Sequence, residues 1–316
     1  MTAWSLSGRA WVRDGGRSCG TSCGQYCGSV RVATWNVNSV RQRAPRLLPW
    51  LDERRPDVVC LQETKLTDAA FTELLGAQLA ARGYTFAVLG QARWNGVAIL
   101  SRIGLDHMRT GLPDEPGFPE PEARTISALC GGIRIRSVYV PNGRAPGSDH
   151  YRYKLAWLAA LRDAVAADSA ETLVCGDMNI APTDADVFDP AAYIGQTHVT
   201  PPERAALAEI GALGLRDVLR DRWPDSRVFT YWDYRAGMFQ RDLGMRIDLI
   251  LASAPVAARV RAAWVDRKAR KGTGPSDHAP VIVDLDEMPD GDIGPVVPPP
   301  SARPAPRNTV RLPQSE

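Results

Sequence analysis

The chain has 316 residues, of which 44% are hydrophobic and 23% charged, and its formal net charge is +2. This is the balance of a folded protein of one large or two ordinary domains, and it excludes a chain without a core and a general polyanion-coating protein. No apolar run is long enough for a membrane span, and Arg9, Arg13 and Arg17 are followed by no apolar stretch of the kind a secretory signal needs.

Residues 1–29 show no helix or strand periodicity, so they read as a disordered extension, with synthesis expected to start near Val30. Cys19, Cys23 and Cys27 recur there every four residues. No fourth ligand is near, which disfavours a metal site. Alternating or continuous apolar runs then mark strands at 30–37 and 57–62, followed by a helix over 68–82 that Asp68 caps and Gly83 ends. A strand is expected at 96–101. Residues 111–122 hold Pro113, Pro116, Pro119 and Pro121 and read as an exposed loop. Strands follow at 125–129 and 133–140. The next helix spans 153–167, with Leu155, Leu158, Leu161 and Val165 on one face. Further strands lie at 172–175, 247–252 and 280–285, and a helix over 202–213 opens on Pro202-Glu203. Residues 287–316, with Pro298-Pro299-Pro300, are too poor in large apolar groups to bury a core and read as a disordered tail. One α/β domain with packed sheets is therefore expected over 30–286. Cys60, Cys130 and Cys175 fall inside strand-like runs, as buried thiols in a reducing, cytoplasmic compartment would.

The chemistry-bearing residues stand at the ends of these runs. Glu63 follows a strand, and its hard oxygens suit Mg²⁺ or Mn²⁺. Asp177 and Asn179 are two apart, so on an extended segment they share a face. The acid can then take a proton from water while the amide orients that water or a phosphate oxygen; an Asx turn is the plainer alternative. Asn36 and Asn38 repeat the spacing after the first strand. Asp277-His278 sits between Pro275 and Pro280 and supplies an imidazole that can change charge near neutrality. Asp248 lies within an apolar run, where an acid needs a partner. His278 is a natural one, and an edge-strand pairing with an arginine is the alternative. Tyr139 and Asn142 follow another strand and can contact phosphate. The stretch from Phe229 to Arg235 contains four aromatics and an arginine, a platform on which bases or sugars can stack, or else a hydrophobic strand edge.

Trp35-Asn36-Val37-Asn38, Leu61-Gln62-Glu63-Thr64-Lys65, Tyr139-Val140-Pro141-Asn142, Gly176-Asp177-Met178-Asn179, Arg246-Ile247-Asp248 and Ser276-Asp277-His278 occur in this order. In these motifs the chain resembles the exonuclease III family of DNA repair nucleases, bacterial branch, within the endonuclease/exonuclease/phosphatase superfamily. The resemblance covers about 30–285. It implies a two-sheet β-sandwich of mixed sheets with α-helices outside, four layers in all. It implies a class II apurinic/apyrimidinic endonuclease with 3′→5′ exonuclease and 3′-phosphatase or phosphodiesterase activity. The enzyme would be monomeric, act on double-stranded DNA with abasic sites or blocked 3′ ends, and meet it at the bacterial nucleoid. Asn36, Glu63, Asp177, Asn179, Asp277 and His278 are then the candidates around Mg²⁺. Tyr139, Asp177, Asn179, Asp248 and His278 carry the reaction, and Arg124, Asn142, Phe229 and Trp232 touch the DNA, the last two lining a pocket for the base-free sugar. A superfamily phosphatase acting on a small or lipid phosphoester would keep the same acids and His278 but need no aromatic platform. An RNA nuclease and an inactive DNA-binding module are the remaining alternatives.

Overall fold

The computed structural model describes residues 29–287 and Val296. The N-terminal extension with Cys19, Cys23 and Cys27, and most of the C-terminal tail, lie outside the described residues. The first half of the chain runs β1 (Val30–Asn36), α1 (Val40–Arg54), β2 (Val58–Gln62), α2 (Asp68–Ala80), β3 (Thr85–Leu89), β4 (Val97–Ser101), β5 (Asp106–Thr110), β6 (Thr125–Cys130) and β7 (Ile133–Tyr139). The second half runs α3 (Asp149–Ala166), β8 (Thr172–Asp177), α4 (Pro201–Gly211), β9 (Leu215–Asp217), α5 (Val218–Arg222), β10 (Asp248–Ser253), α6 (Ala254–Arg259), β11 (Val260–Val265) and β12 (Val281–Leu285).

The strands form two six-stranded mixed sheets, ordered β11-β12-β1-β2-β4-β3 and β5-β6-β7-β8-β10-β9. Each sheet holds one parallel pair, β1–β2 and β7–β8, joined by a helical crossover through α1 and α3. Three apolar layers follow from the strand alternation. Val32, Cys60 and Ile99 of the first sheet meet Ile135, Leu173 and Cys175 of the second. Trp35, Leu61 and Leu100 face Leu47, Leu51 and Phe71 of α1 and α2. Val138, Val174 and Leu249 face Trp157, Leu161 and Ile210 of α3 and α4. This is the expected four-layer sandwich. No helix among the described residues is long and apolar enough to cross a membrane.

Several local features differ from the sequence expectations. The cap of α2 is Thr67, whose hydroxyl accepts from Ala70 N at 3.3 Å, one residue before the expected Asp68. The unforeseen α1 contains Pro45 and Pro49, each of which removes a helix hydrogen bond. Tertiary contacts hold it. The Arg46 guanidinium donates to the carbonyls of Ala269, Lys271 and Thr273, and the Trp50 indole to Asp266 at 2.9 Å. Strand β5 is exposed along its whole length and so has no apolar alternation to read. Val296, in the segment read as tail, bridges Val265 in parallel and is buried.

A buried ionic knot ties the site-bearing strands to the loop after β8. Arg246, just before β10, donates to Asp186 at 2.6 Å and to Asp217 at 2.6 Å, and Arg220 also reaches Asp186. Burial alone would raise the Asp186 carboxyl; Arg246, Arg220 and Thr183 override it and hold it below the usual range. A depressed carboxyl adds stability that is full above its unfolded pKa of about 4 and is lost as pH falls through the folded value. Asp186→Asn is therefore expected to cost roughly 3–5 kcal/mol at pH 7, because it leaves buried arginine charge uncompensated. The gap from the parent should narrow at pH 3. Urea unfolding at the two pH values measures both effects, and an equal gap at both would contradict the assignment.

Candidate active site

The two sheets deliver their acidic and amide groups to one end of the sandwich. Asn36 ends β1 and Glu63 directly follows β2. Tyr139 ends β7 and Asp177 ends β8, opposite each other in parallel register. Asp248 opens β10 and pairs with Asp177 across the antiparallel ladder. His278 precedes β12, and its carbonyl is held by the Trp35 indole at 3.1 Å. Gly176 lets β8 lie flush on β7: an added Cβ there would stand 1.9 Å from the Val138 carbonyl oxygen.

Glu63, Asp177 and His278 each present a ligand atom, and these atoms lie within 4.8 Å of one another. The Asn36 amide nitrogen bridges the two acids, donating to Glu63 at 2.7 Å and Asp177 at 3.0 Å. Its oxygen accepts from Asn38 N. Asp248 grips His278 Nδ1 with both oxygens, at 3.1 and 2.9 Å, leaving Nε2 3.8 Å from Asp177. Burial alone would lower the imidazole; Asp248 and Asp177 override it and raise it to about 10, so His278 is a cation at neutral pH. Burial raises the Asp177 carboxyl to about 7, with Asp248 pushing the same way and His278 opposing. Glu63 behaves oppositely. Burial would raise it, but Lys65 at 2.8 Å and Asn36 bring it below its ordinary value. The two carboxylates, one of them firmly ionised, are hard oxygen donors that fit a divalent cation, while His278, protonated on both nitrogens, stands beside them as a hydrogen-bond donor and not as a ligand.

The other expected residues take varied places. Asn179 has positive φ, donates its backbone N–H to Asp177 at 2.9 Å and accepts from the Asn142 amide at 3.3 Å. Both amides therefore join the site. Asp277 turns away from the acid cluster, toward Asn38 at 3.1 Å and the Ser276 hydroxyl. Tyr139 is half-buried against Glu63, and burial with that acid raises its phenol well above normal. Arg124 does not project into solvent. It is 7% exposed, paired with Glu122 at 2.7 Å and stacked 4.9 Å from the Tyr139 ring. Phe229 and Trp232 are buried in the inter-sheet core, the indole bonded to Asp242 at 3.1 Å. Tyr231, one residue earlier than Trp232, is the aromatic of this stretch that reaches the site, its ring 4.9 Å from that of His278.

Four participants have no assigned role in the sequence reading. Lys65 lies within a quoted motif and bonds both Glu63 and Asn38. Tyr231 is hidden by its neighbour Trp232. Lys154 sits on the buried face of α3. His198 has φ 80 and contacts the Asn179 carbonyl at 2.6 Å through Nδ1. It helps line a cleft of about 240 Å³ with Asn142, Tyr231, Arg235 and Met245. Only a histidine just before the Thr200 helix cap marks it in the sequence.

The family model described as the endonuclease/exonuclease/phosphatase family matches residues 33–278. The chain is 28% identical over 261 residues to an exodeoxyribonuclease of Bacillus subtilis, covering 80% of this chain and 98% of that protein. It is 26% identical to the DNA repair nuclease APEX1 of Danio rerio, covering 81% and 82%. Among solved structures, the 3′ phosphatase NExo from Neisseria bound to a product DNA hairpin superposes with a TM-score of 0.78 at 39% identity, covering 82% of this chain and 100% of that one. An AP endonuclease from Archaeoglobus fulgidus gives 0.77 at 38% identity, with the same coverage.

The indole of Trp232, 1% exposed, should matter to the core. Trp232→Ala is expected to lose about 3–5 kcal/mol in denaturant unfolding, as large-to-small core changes do. A variant as stable as the parent would place the indole outside the core.

Proposed function

The chain belongs to the endonuclease/exonuclease/phosphatase family, on its exonuclease III-like branch, and from this we propose that it is a metal-dependent DNA repair nuclease that incises at abasic sites and clears blocked 3′ ends. The observation that carries the reading is the convergence of Glu63, Asp177 and His278 within 4.8 Å, with Asp248 fixing the imidazole. The similarity to nucleases of both kinds, a 3′ phosphatase and an AP endonuclease, supports the pairing of activities. Duplex DNA is the substrate class.

Glu63 is the residue best placed to hold Mg²⁺, or Mn²⁺, with Asp177 and His278 beside it. When bound, the ion supplies charge neutralisation on the phosphate and the leaving oxygen. The chain's own groups do the rest. Asp177, raised to about 7, is a base matched to neutral pH and takes the proton of the attacking water. Asn179 and Asn142 orient a phosphate oxygen with their amides. His278 holds its charge because Asp248 accepts from Nδ1, so Nε2–H remains free to donate to the developing negative charge on phosphorus-bound oxygen. Tyr139 keeps its proton and is a neutral donor beside Glu63. Asn36 keeps the two acids in register. Asp277, set away from the cluster, orders Asn38.

Glu63→Ala is expected to lower incision by roughly 10²–10⁴-fold with the fold retained, and EDTA should abolish the parent's activity. The assay uses a duplex with one abasic-site analogue and a second duplex with a 3′-phosphate. Full activity in chelator would remove the metal mechanism. Cleavage of neither duplex, with hydrolysis of a small phosphoester instead, would move the protein to the phosphatase reading.

Asp177→Asn and His278→Ala should each reduce single-turnover incision by orders of magnitude while DNA binding persists. Their double variant should be little worse than the poorer single one, as for groups acting on one transition state. Multiplicative losses would mean that the two residues act independently.

A further inference from the structure

Behind the site lies a charged pair that no step above uses. Lys154 on α3 and Glu203 on α4 are both 0% exposed. A fully buried ammonium is costly unless every proton is met. Here its three donors match three acceptors: Glu203 Oε1 at 2.5 Å, the Asn179 carbonyl at 2.7 Å and the Asn142 carbonyl at 3.1 Å. Two of the three are the backbones of Asn142 and Asn179, whose side-chain amides meet at 3.3 Å, that of Asn179 also donating to the Val140 carbonyl at 2.9 Å. Glu203 is just as occupied. It accepts from Thr197 at 2.8 Å, from His198 N at 3.0 Å, and from the Thr200 N–H and hydroxyl at 3.0 and 2.7 Å. The Thr197 hydroxyl also lies 3.0 Å from the Asn142 carbonyl.

The loop after β7, the loop after β8 and the 197–200 segment belong to no common strand ladder, yet they converge on one ion pair. Asn142 and Asn179 come from two of these loops, and Asn179 holds a left-handed backbone that needs external support. A hydrophobic pair of equal volume would stabilise two packed helices as well or better. It would offer no donors to the two carbonyls.

We propose that Lys154 and Glu203 form a positioning unit that sets the distance between the Asn142 and Asn179 amides, and so the seat of the scissile phosphate, without either side chain touching substrate. The inference rests on the reading that these amides handle the phosphate. Misplacement of a phosphate-holding amide by a fraction of an ångström should appear in the chemical step more than in ground-state binding.

The test is single-turnover incision of the abasic duplex, with a binding titration, for Lys154→Met, Glu203→Gln, Asn179→Ala and the double variant Lys154→Met/Asn179→Ala, each at a temperature well below its own melting point. Lys154→Met is expected to lower the incision rate roughly 10–100-fold with DNA affinity changed less than about threefold. Glu203→Gln should follow in the same direction, and it stands in if Lys154→Met does not fold. In the Asn179→Ala background the further loss from Lys154→Met should nearly vanish, because the group being positioned is gone. A merely structural role would give the same fold-loss in both backgrounds, and that result overturns the proposal. So does a folded Lys154→Met or Glu203→Gln protein that cuts at the parental rate while Asn179→Ala is slow. If Asn179→Ala itself cuts at the parental rate, the reading of the amides fails first, and the positioning proposal falls with it.

Discussion

Asp177 and Asp248 are buried and Glu63 is half-buried within one seam between the sheets, and the arrangement around these three carboxylates answers their mutual repulsion. Taking such groups out of water favours their neutral forms. His278 sits between two of them, and its raised basicity is the counterpart of their stabilisation. Asn36 gives one hydrogen to each of the other pair. Lys65 then decides the asymmetry: its ammonium lies on Glu63 and not on Asp177, so one acid is firmly ionised and the other is poised near neutrality. Two similar side chains thereby take opposite shifts in acidity from their surroundings.

The sandwich makes that seam available. Each sheet has a parallel pair with a helical crossover, so the carboxyl ends of β1, β2, β7 and β8 all point the same way. Ligand-binding groups collect outside such ends in open α/β sheets. The antiparallel partners β10 and β12 then enter from the same end, β10 beginning at Asp248 and β12 just after His278. Asp248 faces Asp177 because the β8–β10 register puts them opposite.

Much of this was legible because strand alternation and strand-end carboxylates are local signals. The runs at 57–62, 172–175 and 280–285 lie where β2, β8 and β12 are found, and Asp177, Glu63, Asp248 and His278 come together as their motifs suggest. What escaped is set by contacts distant in sequence. Prolines argue against α1, yet Arg46 and Trp50 hold it from residues more than 200 positions away. Within Tyr231-Trp232 the larger ring turns into the core, while Tyr231, which bridges Met245 and His278, carries the smaller ring to the imidazole. Arg124 reads as a free cation beside a loop, but Glu122 two residues before it and Tyr139 across the ladder take it up. Lys154 follows helical periodicity onto a buried face, where the distant Glu203 and the Asn142 and Asn179 carbonyls make a lysine tolerable.

Strand β12 lies inside its sheet, between β11 and β1, and His278 stands just ahead of it. The segment that closes the first sheet is thus the one that brings in the imidazole. On the ribosome, Glu63 and Asp177 emerge long before it. Until the final strand slots into place the sheet stays divided, and Asp177 and Asp248 lack the imidazole that lies between them. Closure of the first sheet and completion of the candidate site are therefore one event in folding.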